Sequence, residues 1–317
     1  GYQTLHTNTT GYFNVATGIA ALYSNTTGYN NVATGFAALY SNTTGVSNTA
    51  GGYESLYSNT TGAQNTATGY GALRYNTTGN SNVAVGRQAL YNNTTGEENT
   101  ATGGLALSSN TSGAQNTANG YQSLYSNTIG FNNTGTGEGT LYSNTSGNSN
   151  TATGIQSLYN NTTGDSNVSN GISSLYNNTT GSFNAAVGRD SLKNNTVGVS
   201  NAAVGNQALL NNIIGSANVA IGNIAGSLVF GGTANDTPNN SVFIGAGTKS
   251  KTNADSNQII IGHNAIGEGT NTARIGNTAT TALYVGGIGA GVVLKSPNGT
   301  SYKIAVSNTG VITATAI

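Results

Sequence analysis

The side chains that could do acid–base, nucleophilic or metal chemistry are few in this chain and far apart. Its 317 residues include two His, no Cys, nine Asp or Glu, and nine Lys or Arg. His6 and His263 stand near opposite ends of the sequence, and Glu97–Glu98 is its one adjacent carboxylate pair. Catalysis and metal binding need such groups to converge on one site. We therefore expect no catalytic residue, no metal site and no cofactor.

One short stretch is partly similar to a nucleotide-binding loop. Gly245–Ser250 reads GAGTKS, but Thr248 stands where a phosphate loop has glycine before its lysine, and no helical pattern follows. A repeat protein with an active site usually interrupts its repeat to build that site. No interruption occurs before residue 226, so we do not expect an enzyme.

The composition excludes two further classes of function. Charged residues make up 6% of the chain and the formal net charge is zero, so no basic patch is available for nucleic acid or for an anionic membrane surface. The sequence contains no apolar run of about 18 residues that could span a membrane. Gly1 lies within a repeat, so we expect more chain to precede it.

A seventeen-residue period governs residues 1–226. It is marked by glycines with no insertion between them: Gly11, Gly28, Gly45, Gly62, Gly79, Gly96, Gly113, Gly130, Gly147, Gly164, Gly181, Gly198 and Gly215. When each repeat is numbered from that glycine, Asn occupies position 4 and Gly position 8 in all thirteen copies, Leu occupies position 12 from Leu5 to Leu209, and Asn occupies position 15 from Asn8 to Asn212. A fixed period of this length is typical of a solenoid, in which each repeat is one coil stacked on the next.

Each coil is too short to hold an ordinary helix and its turns. We expect two short strands per coil, one at positions 4–7, as in Asn82–Val85, and one at positions 10–13, as in Ala37–Tyr40. The glycines at positions 1 and 8 give the backbone freedom that each reversal needs. Stacked coils then form parallel ladders with strands about 4.8 Å apart. The predicted fold class is all-β, a parallel β-solenoid or β-roll.

Alternation along these strands assigns the faces of the coil. With Leu at position 12 and Ala at position 6 inside, positions 5, 7, 11 and 13 point outwards. The invariant asparagines are expected to stack at the corners, where their amides can bond one another and cap turn carbonyls. We take the following as structural turn residues: Asn14, Asn31, Asn48 and Asn82 at position 4, and Asn25, Asn42, Asn59 and Asn93 at position 15.

The outward positions 5 and 7 form a β-branched stripe that becomes more apolar along the chain. One Leu and one or two Ala per coil give little apolar burial for ordering seventeen residues, so a second surface should be buried. We therefore predict a homo-oligomer, with a trimer as the preferred state, whose chains lie in parallel. The predicted interface residues are Val15, Val32, Val83, Val85, Val187, Val204, Val219 and Ile221.

These repeats resemble two known classes of surface protein. Asn82–Gly86 (NVAVG) and Asn218–Gly222 (NVAIG) are similar to the repeat core of trimeric autotransporter adhesin heads. With Leu and the N-T-T-G corner added, the pattern resembles shaft repeats of phage tail fibres. The resemblance implies a left-handed β-roll, trimerisation and an extracellular location on a virion tail fibre or a cell-surface filament. The seventeen-residue length and the Leu at position 12 depart from the shorter adhesin-head repeat.

The sequence changes character after the last regular repeat. Residues 1–226 are predicted to form the shaft, residues 227–281 an irregular loop followed by longer roll-like turns, and residues 282–317 a small antiparallel meander. The loop is indicated by Gly231–Asn240, and the roll-like turns by Ser241–Gly245, Gln258–Gly262 and Thr272–Gly276. Turns at Pro297–Gly299 and Asn308–Gly310 separate the meander strands. Its Ser296–Lys303 stretch is similar to distal segments of tail fibres.

Two further readings concern the tyrosines and threonines. Tyr recurs at position 13, and an aromatic column can stack on sugar rings. Tyr23, Tyr40, Tyr57 and Tyr142 are therefore candidate glycan contacts, unless each ring covers its neighbour. Threonine pairs such as Thr66 and Thr68 resemble the arrays of ice-binding solenoids, but apolar pairs interrupt them.

The corner motif N-T-T matches the N-glycosylation acceptor pattern. The candidate acceptors are Asn25, Asn42, Asn59 and Asn76. Asn127, Asn195 and Asn212 keep the amide where the hydroxyl residue is lost. The turn therefore needs the amide itself, whether or not some copies carry glycan.

Overall fold

The computed structural model of the chain describes residues 1–280, 292–295, 301–306 and 312–316. It divides into two compact units, Gly1–Asn277 and Thr278–Ile317. The first unit is an all-β parallel solenoid, as predicted, and each seventeen-residue repeat forms one coil.

Each regular coil contributes one strand of three residues, at positions 5–7. These strands are β1 (Val15–Thr17), β2 (Val32–Thr34), β3 (Thr49–Gly51), β4 (Thr66–Thr68), β5 (Val83–Val85), β6 (Thr100–Thr102), β7 (Thr117–Asn119), β8 (Thr134–Thr136), β9 (Thr151–Thr153), β10 (Val168–Asn170), β11 (Ala185–Val187), β12 (Ala202–Val204) and β13 (Val219–Ile221). Neighbouring strands pair in parallel and position for position, so that Ala16 faces Ala33 across the ladder. The strands are this short because the position 8 glycine, at a φ such as +136° in Gly86, ends the extended backbone.

The predicted second strand at positions 10–13 is wrong. Positions 10 and 12 have left-handed backbone angles, as in Ala37 (φ 50°) and Leu39 (φ 52°), so this side of the coil is a run of turns. Hydrogen bonds still join the coils there, because Leu22 N donates to Ala38 O at 3.0 Å. A left-handed Leu costs about 1–2 kcal/mol, and it persists here because the coils on both sides hold the same geometry.

The left-handed backbone also corrects the predicted faces. Strict in-and-out alternation applies only to extended chain. Positions 11 and 12 are consequently both buried, as in Ala38 and Leu39, whereas position 11 was expected to face outwards. The core is a column of Leu at position 12, small residues at positions 6 and 11, and the amides of positions 4 and 15. Each coil therefore buries more than the single Leu and one or two Ala that the sequence suggested.

The regular spacing ends after β13, but the sheet continues. The next coil is six residues longer, since Asn218 Nδ2 donates to Pro238 O where earlier coils use the glycine carbonyl. The remaining strands of the solenoid are β14 (Leu228–Val229), β15 (Val242–Ile244), β16 (Lys249–Ser250), β17 (Ile259–Ile261) and β18 (Ala273–Ile275). β15, β17 and β18 extend the main sheet to sixteen parallel strands, and β14 pairs with β16 in a separate sheet.

The core is repacked where the coil lengthens. Phe243 replaces the small residue at position 6 and is fully buried. Gly226 stands where the regular coils have Leu, and a Cβ on Gly226 would lie 2.7 Å from the Phe243 ring. The Phe243 ring therefore fills the space that a Leu side chain at the position of Gly226 would occupy, and the interior stays densely packed.

The second unit contains three strands. They are β19 (Val292–Lys295), β20 (Ser301–Val306) and β21 (Ile312–Ala316). β20 pairs antiparallel with both β19 and β21. The predicted turns at Pro297–Gly299 and Asn308–Gly310 lie outside the described residues.

Candidate functional site

The candidate acid–base side chains of the described residues lie in separate local contacts. Across the described ranges, no three His, Cys, Asp or Glu residues come together as a metal site would require. His6 stacks on Tyr23 with ring centroids 4.9 Å apart. Glu97 and Glu98 each accept one hydrogen bond from an amide of a neighbouring coil, those of Asn80 and Gln115.

The glycine-containing stretch Gly245–Ser250 is part of a coil and not a phosphate loop. Thr248 is buried and its hydroxyl donates to Gly245 O at 3.1 Å. Lys249 belongs to β16 and its backbone N–H donates to Ala265 O. These groups are engaged in the ladder, so they do not form an open cradle of backbone N–H groups for an anion.

The asparagines at position 15 form a buried amide column. In each coil the Nδ2 group donates to the Oδ1 of the preceding Asn and to the position 1 carbonyl of its own turn. Asn42 does so to Asn25 Oδ1 at 2.8 Å and to Gly45 O at 3.0 Å. The same pair of bonds continues to Asn212. The column ends there, because Asn235 bonds elsewhere and Asn212 Oδ1 is left without a partner.

A second amide column runs along position 4. The backbone N–H of Asn48 donates to Asn31 Oδ1 at 2.9 Å, and the Asn48 amide donates to Gly62 O at 2.8 Å. Each Asn thus fixes the coil before it and the turn after it. Buried amides that keep their partners strengthen such a network and exclude alternative registers.

The position 15 column leaves no room for N-linked glycan, so this hypothesis is not supported. Asn25, Asn42, Asn59 and Asn76 are fully buried. Both Nδ2 protons of each are donated inside the coil. A sugar on that nitrogen would require the column to open. The N-T-T motif matches the acceptor pattern in residue order, but the order of residues does not show whether the Asn side chain is exposed.

The predicted interface residues all lie on the outward face of the main sheet. The side chains of Val15, Val32, Val83, Val85, Val187, Val204, Val219 and Ile221 are between 36% and 56% exposed. They form two columns, at positions 5 and 7, that run along the stacked strands. Because the strands are in register, the side chains of this face repeat regularly from strand to strand. We call it the outward sheet face.

The tyrosines of position 13 form stacked columns. Tyr23, Tyr40 and Tyr57 follow one another with centroids 5.0 and 5.1 Å apart and interplanar angles of 4° and 7°. A second run joins Tyr125, Tyr142, Tyr159 and Tyr176 at 4.9–5.1 Å. Neighbouring rings cover the faces of Tyr40 and Tyr142, and only ring edges reach solvent. A sugar ring needs a free aromatic face, so the stacking does not favour these residues as glycan contacts.

A charged cluster interrupts the first tyrosine column. Arg74 occupies position 13, where its Nε lies 2.7 Å from Glu54 Oε2 and its NH1 donates to the Tyr91 hydroxyl at 3.1 Å. Its guanidinium also lies 5.5 Å from the centroid of Tyr57 and 4.9 Å from that of Tyr75. Arg74 therefore bridges the break between Tyr57 and Tyr91.

Sequence reasoning missed two further columns. Phe36, Tyr53 and Tyr70 stack at position 9. Thr at position 16 donates its hydroxyl to the Thr carbonyl of the next coil, as Thr94 does to Thr111 at 3.0 Å. The seventeen-residue spacing of both sets is visible in the sequence. The spacing alone does not show which of the recurring side chains stack on one another and which face water.

The chain was compared with protein-family models and with curated proteins. The chain matches no protein-family model, and no curated protein matches it. Among the residues that the structure describes, no helix is long and apolar enough to cross a membrane.

Proposed function

We propose that this chain is the shaft of an extracellular fibre, similar to a phage tail fibre or a cell-surface filament. Its role is structural and not catalytic. One observation supports this more than any other: thirteen consecutive coils repeat the same backbone and amide bonds with no interruption by a site. A uniform ladder resists bending, as a shaft must.

The proposed assembly is a homotrimer with the outward sheet face turned towards the shared axis. The exposed Val and Ile side chains support this arrangement, because apolar side chains grouped on one face of a solenoid are better buried between chains than hydrated. The main sheet is about 70 Å long at about 4.8 Å per strand. Recognition of other molecules would then lie at the ends of the shaft.

Negative-stain imaging of the purified chain tests the proposal. We expect straight, unbranched rods with the width of several solenoids side by side. Limited proteolysis should leave residues 1–222 intact, since their backbone is paired in every coil. Flexible particles, or early cleavage within the coils, would contradict a shaft role.

The two alternative functions receive less support. An adhesin that binds glycans along its shaft would need free ring faces, which stacking covers in Tyr40 and Tyr142. An ice-binding face would need an unbroken lattice of Thr, which Val83 and Val85 interrupt. We expect Tyr142→Ser to leave glycan-array signals unchanged and the purified chain to show no thermal hysteresis.

A further inference from the structure

We propose that one part of the outward sheet face, on strands β11–β18, is the surface that docks a second copy of this chain in parallel and in register. This inference rests on the proposed oligomeric shaft and adds where the chains hold one another. We call this part the aliphatic zone. It comprises β11, β12, β13, β15, β17 and β18, which are consecutive neighbours in the main sheet.

Every outward position in the aliphatic zone carries an aliphatic side chain. These residues are Ala185, Val187, Ala202, Val204, Val219, Ile221, Val242, Ile244, Ile259, Ile261, Ala273 and Ile275. Ile221, Ile259 and Ile275 are 45%, 46% and 56% exposed in the single chain. Six adjacent strands therefore present a continuous apolar surface without one hydroxyl, amide or charge at positions 5 and 7. Such a surface marks an interaction site.

The preceding part of the same face has a different chemistry. On β3–β9, six of the seven residues at position 5 are threonine: Thr49, Thr66, Thr100, Thr117, Thr134 and Thr151. We call this part the threonine zone. Its hydroxyl groups are readily hydrated, so it gains less from being covered than the aliphatic zone does. The driving force for association is thus concentrated towards the end of the solenoid that contains β18.

A second copy of the chain fits this face better than an unrelated partner. The rows of side chains repeat at the strand spacing of about 4.8 Å, and only another parallel solenoid presents rows at that spacing over the same length. The outward positions 5 and 7 of the main sheet carry no charge, so they offer nothing to steer a charged partner. The whole sixteen-strand face, with a strip roughly 10 Å wide, gives on the order of 800 Å² per copy, the size of a standard protein interface, and the six strands of the aliphatic zone supply roughly 300 Å² of it.

The two zones also determine the direction of the partner. In a parallel, in-register assembly the aliphatic zone of each copy lies beside the same zone of its neighbour. Reversing one copy with full overlap would place aliphatic strands against the threonine zone and would bury hydroxyl groups without apolar gain. The change from threonine to aliphatic side chains along the face therefore favours parallel chains. It also disfavours a shift of one chain against the other by one or more coils.

A polar substitution confined to the aliphatic zone tests this inference. The variant Val187→Thr/Val204→Thr/Ile221→Thr keeps β-branched side chains on three neighbouring strands but places three hydroxyl groups on the zone. We expect the dissociation constant of the oligomer, measured by sedimentation, to rise by about 100-fold or more, because each hydroxyl buried without a partner weakens association about fivefold to tenfold. Circular dichroism should show an unchanged solenoid.

Two matched controls separate the zone from general effects. Val197→Thr/Val199→Thr makes the same change at exposed positions outside strands β1–β18, where Val197 is 47% and Val199 39% exposed, and it should leave the dissociation constant unchanged. Thr100→Val/Thr102→Val changes the threonine zone in the opposite sense and should tighten the oligomer or leave it as it is. An oligomer unaffected by the triple variant would overturn the assignment of the zone while leaving the shaft proposal intact. A wild-type monomer would overturn both.

Discussion

At the scale of single residues, neighbouring coils approach each other closely at the position 8 glycines. Gly86 has φ +136°, and a Cβ built there would lie 2.5 Å from Gly103 O and 2.7 Å from Gly103 C in the next coil. Both the backbone angle and the space exclude a side chain. The same two conditions hold at Gly69 and Gly103, which explains why this letter of the repeat never changes.

We predict that Gly86→Ala destabilises the solenoid by at least about 3 kcal/mol, because backbone atoms of the next coil must move. Gly104→Ala is the matched control. Gly104 lacks the left-handed φ, and its nearest atom to an added Cβ is Tyr121 Cδ2 at 3.5 Å, so the change should be nearly neutral. Urea unfolding followed by circular dichroism measures both. Equal stabilities would show that the coils pack less closely than described.

The buried amide columns allow a second test. Asn93 donates to Asn76 Oδ1 and Gly96 O and accepts from Asn110 Nδ2. Asn93→Ala removes all three bonds and leaves buried partners unpaired, so we predict a loss of about 2–4 kcal/mol in the free energy of unfolding. Thr95→Ala, at an exposed corner of the same turn, should cost less than about 0.5 kcal/mol. Similar losses for both variants would contradict the structural role of the column.

At the scale of the element, the sequence was sufficient to predict the coil length, a strand at positions 4–7, of which positions 5–7 form the observed strand, and the hydrogen-bonding role of the invariant asparagines. Each of these features depends on a residue type that is the same in every repeat and has one structural role, such as the Asn at position 4. The second strand could not be predicted correctly. Ala37–Tyr40 has good strand composition, and its left-handed angles arise only from stacking on identical coils. The sequence also led us to underestimate how much each coil buries. Position 11 was expected to face outwards, and Asn42 at position 15 was expected at a corner, but both positions lie in the core.

Tyr159, within the second tyrosine column, should titrate late. Burial raises the pKa of Tyr159 above its ordinary value, and the neighbouring Tyr142 and Tyr176 phenols raise it further. The folded chain then holds this proton more tightly than the unfolded chain. The contribution to stability is therefore complete below the ordinary tyrosine pKa of about 10 and is lost as the pH rises through the raised value.

We predict that spectrophotometric titration of the folded chain shows a phenol that ionises above the ordinary range, and that Tyr159→Phe removes it. A titration in which Tyr159→Phe leaves the high-pH step unchanged would contradict the burial of the Tyr159 phenol.

At the scale of the whole molecule, stability is the sum of many equal contacts between neighbouring coils. Each coil touches only the coils before and after it, as expected for a solenoid. Stacking leaves the outward sheet face uncovered along the main sheet, and Val204 and Ile221 are exposed there. Association of chains along that face completes the burial that stacking begins.

The molar mass of the intact assembly in solution tests this central claim most directly. Light scattering coupled to size exclusion, at micromolar concentration and moderate salt, should give three times the 31.7 kDa of the chain. Because the face is apolar, the value should not change when the salt concentration is raised. A well-folded particle with the mass of one chain would contradict the account.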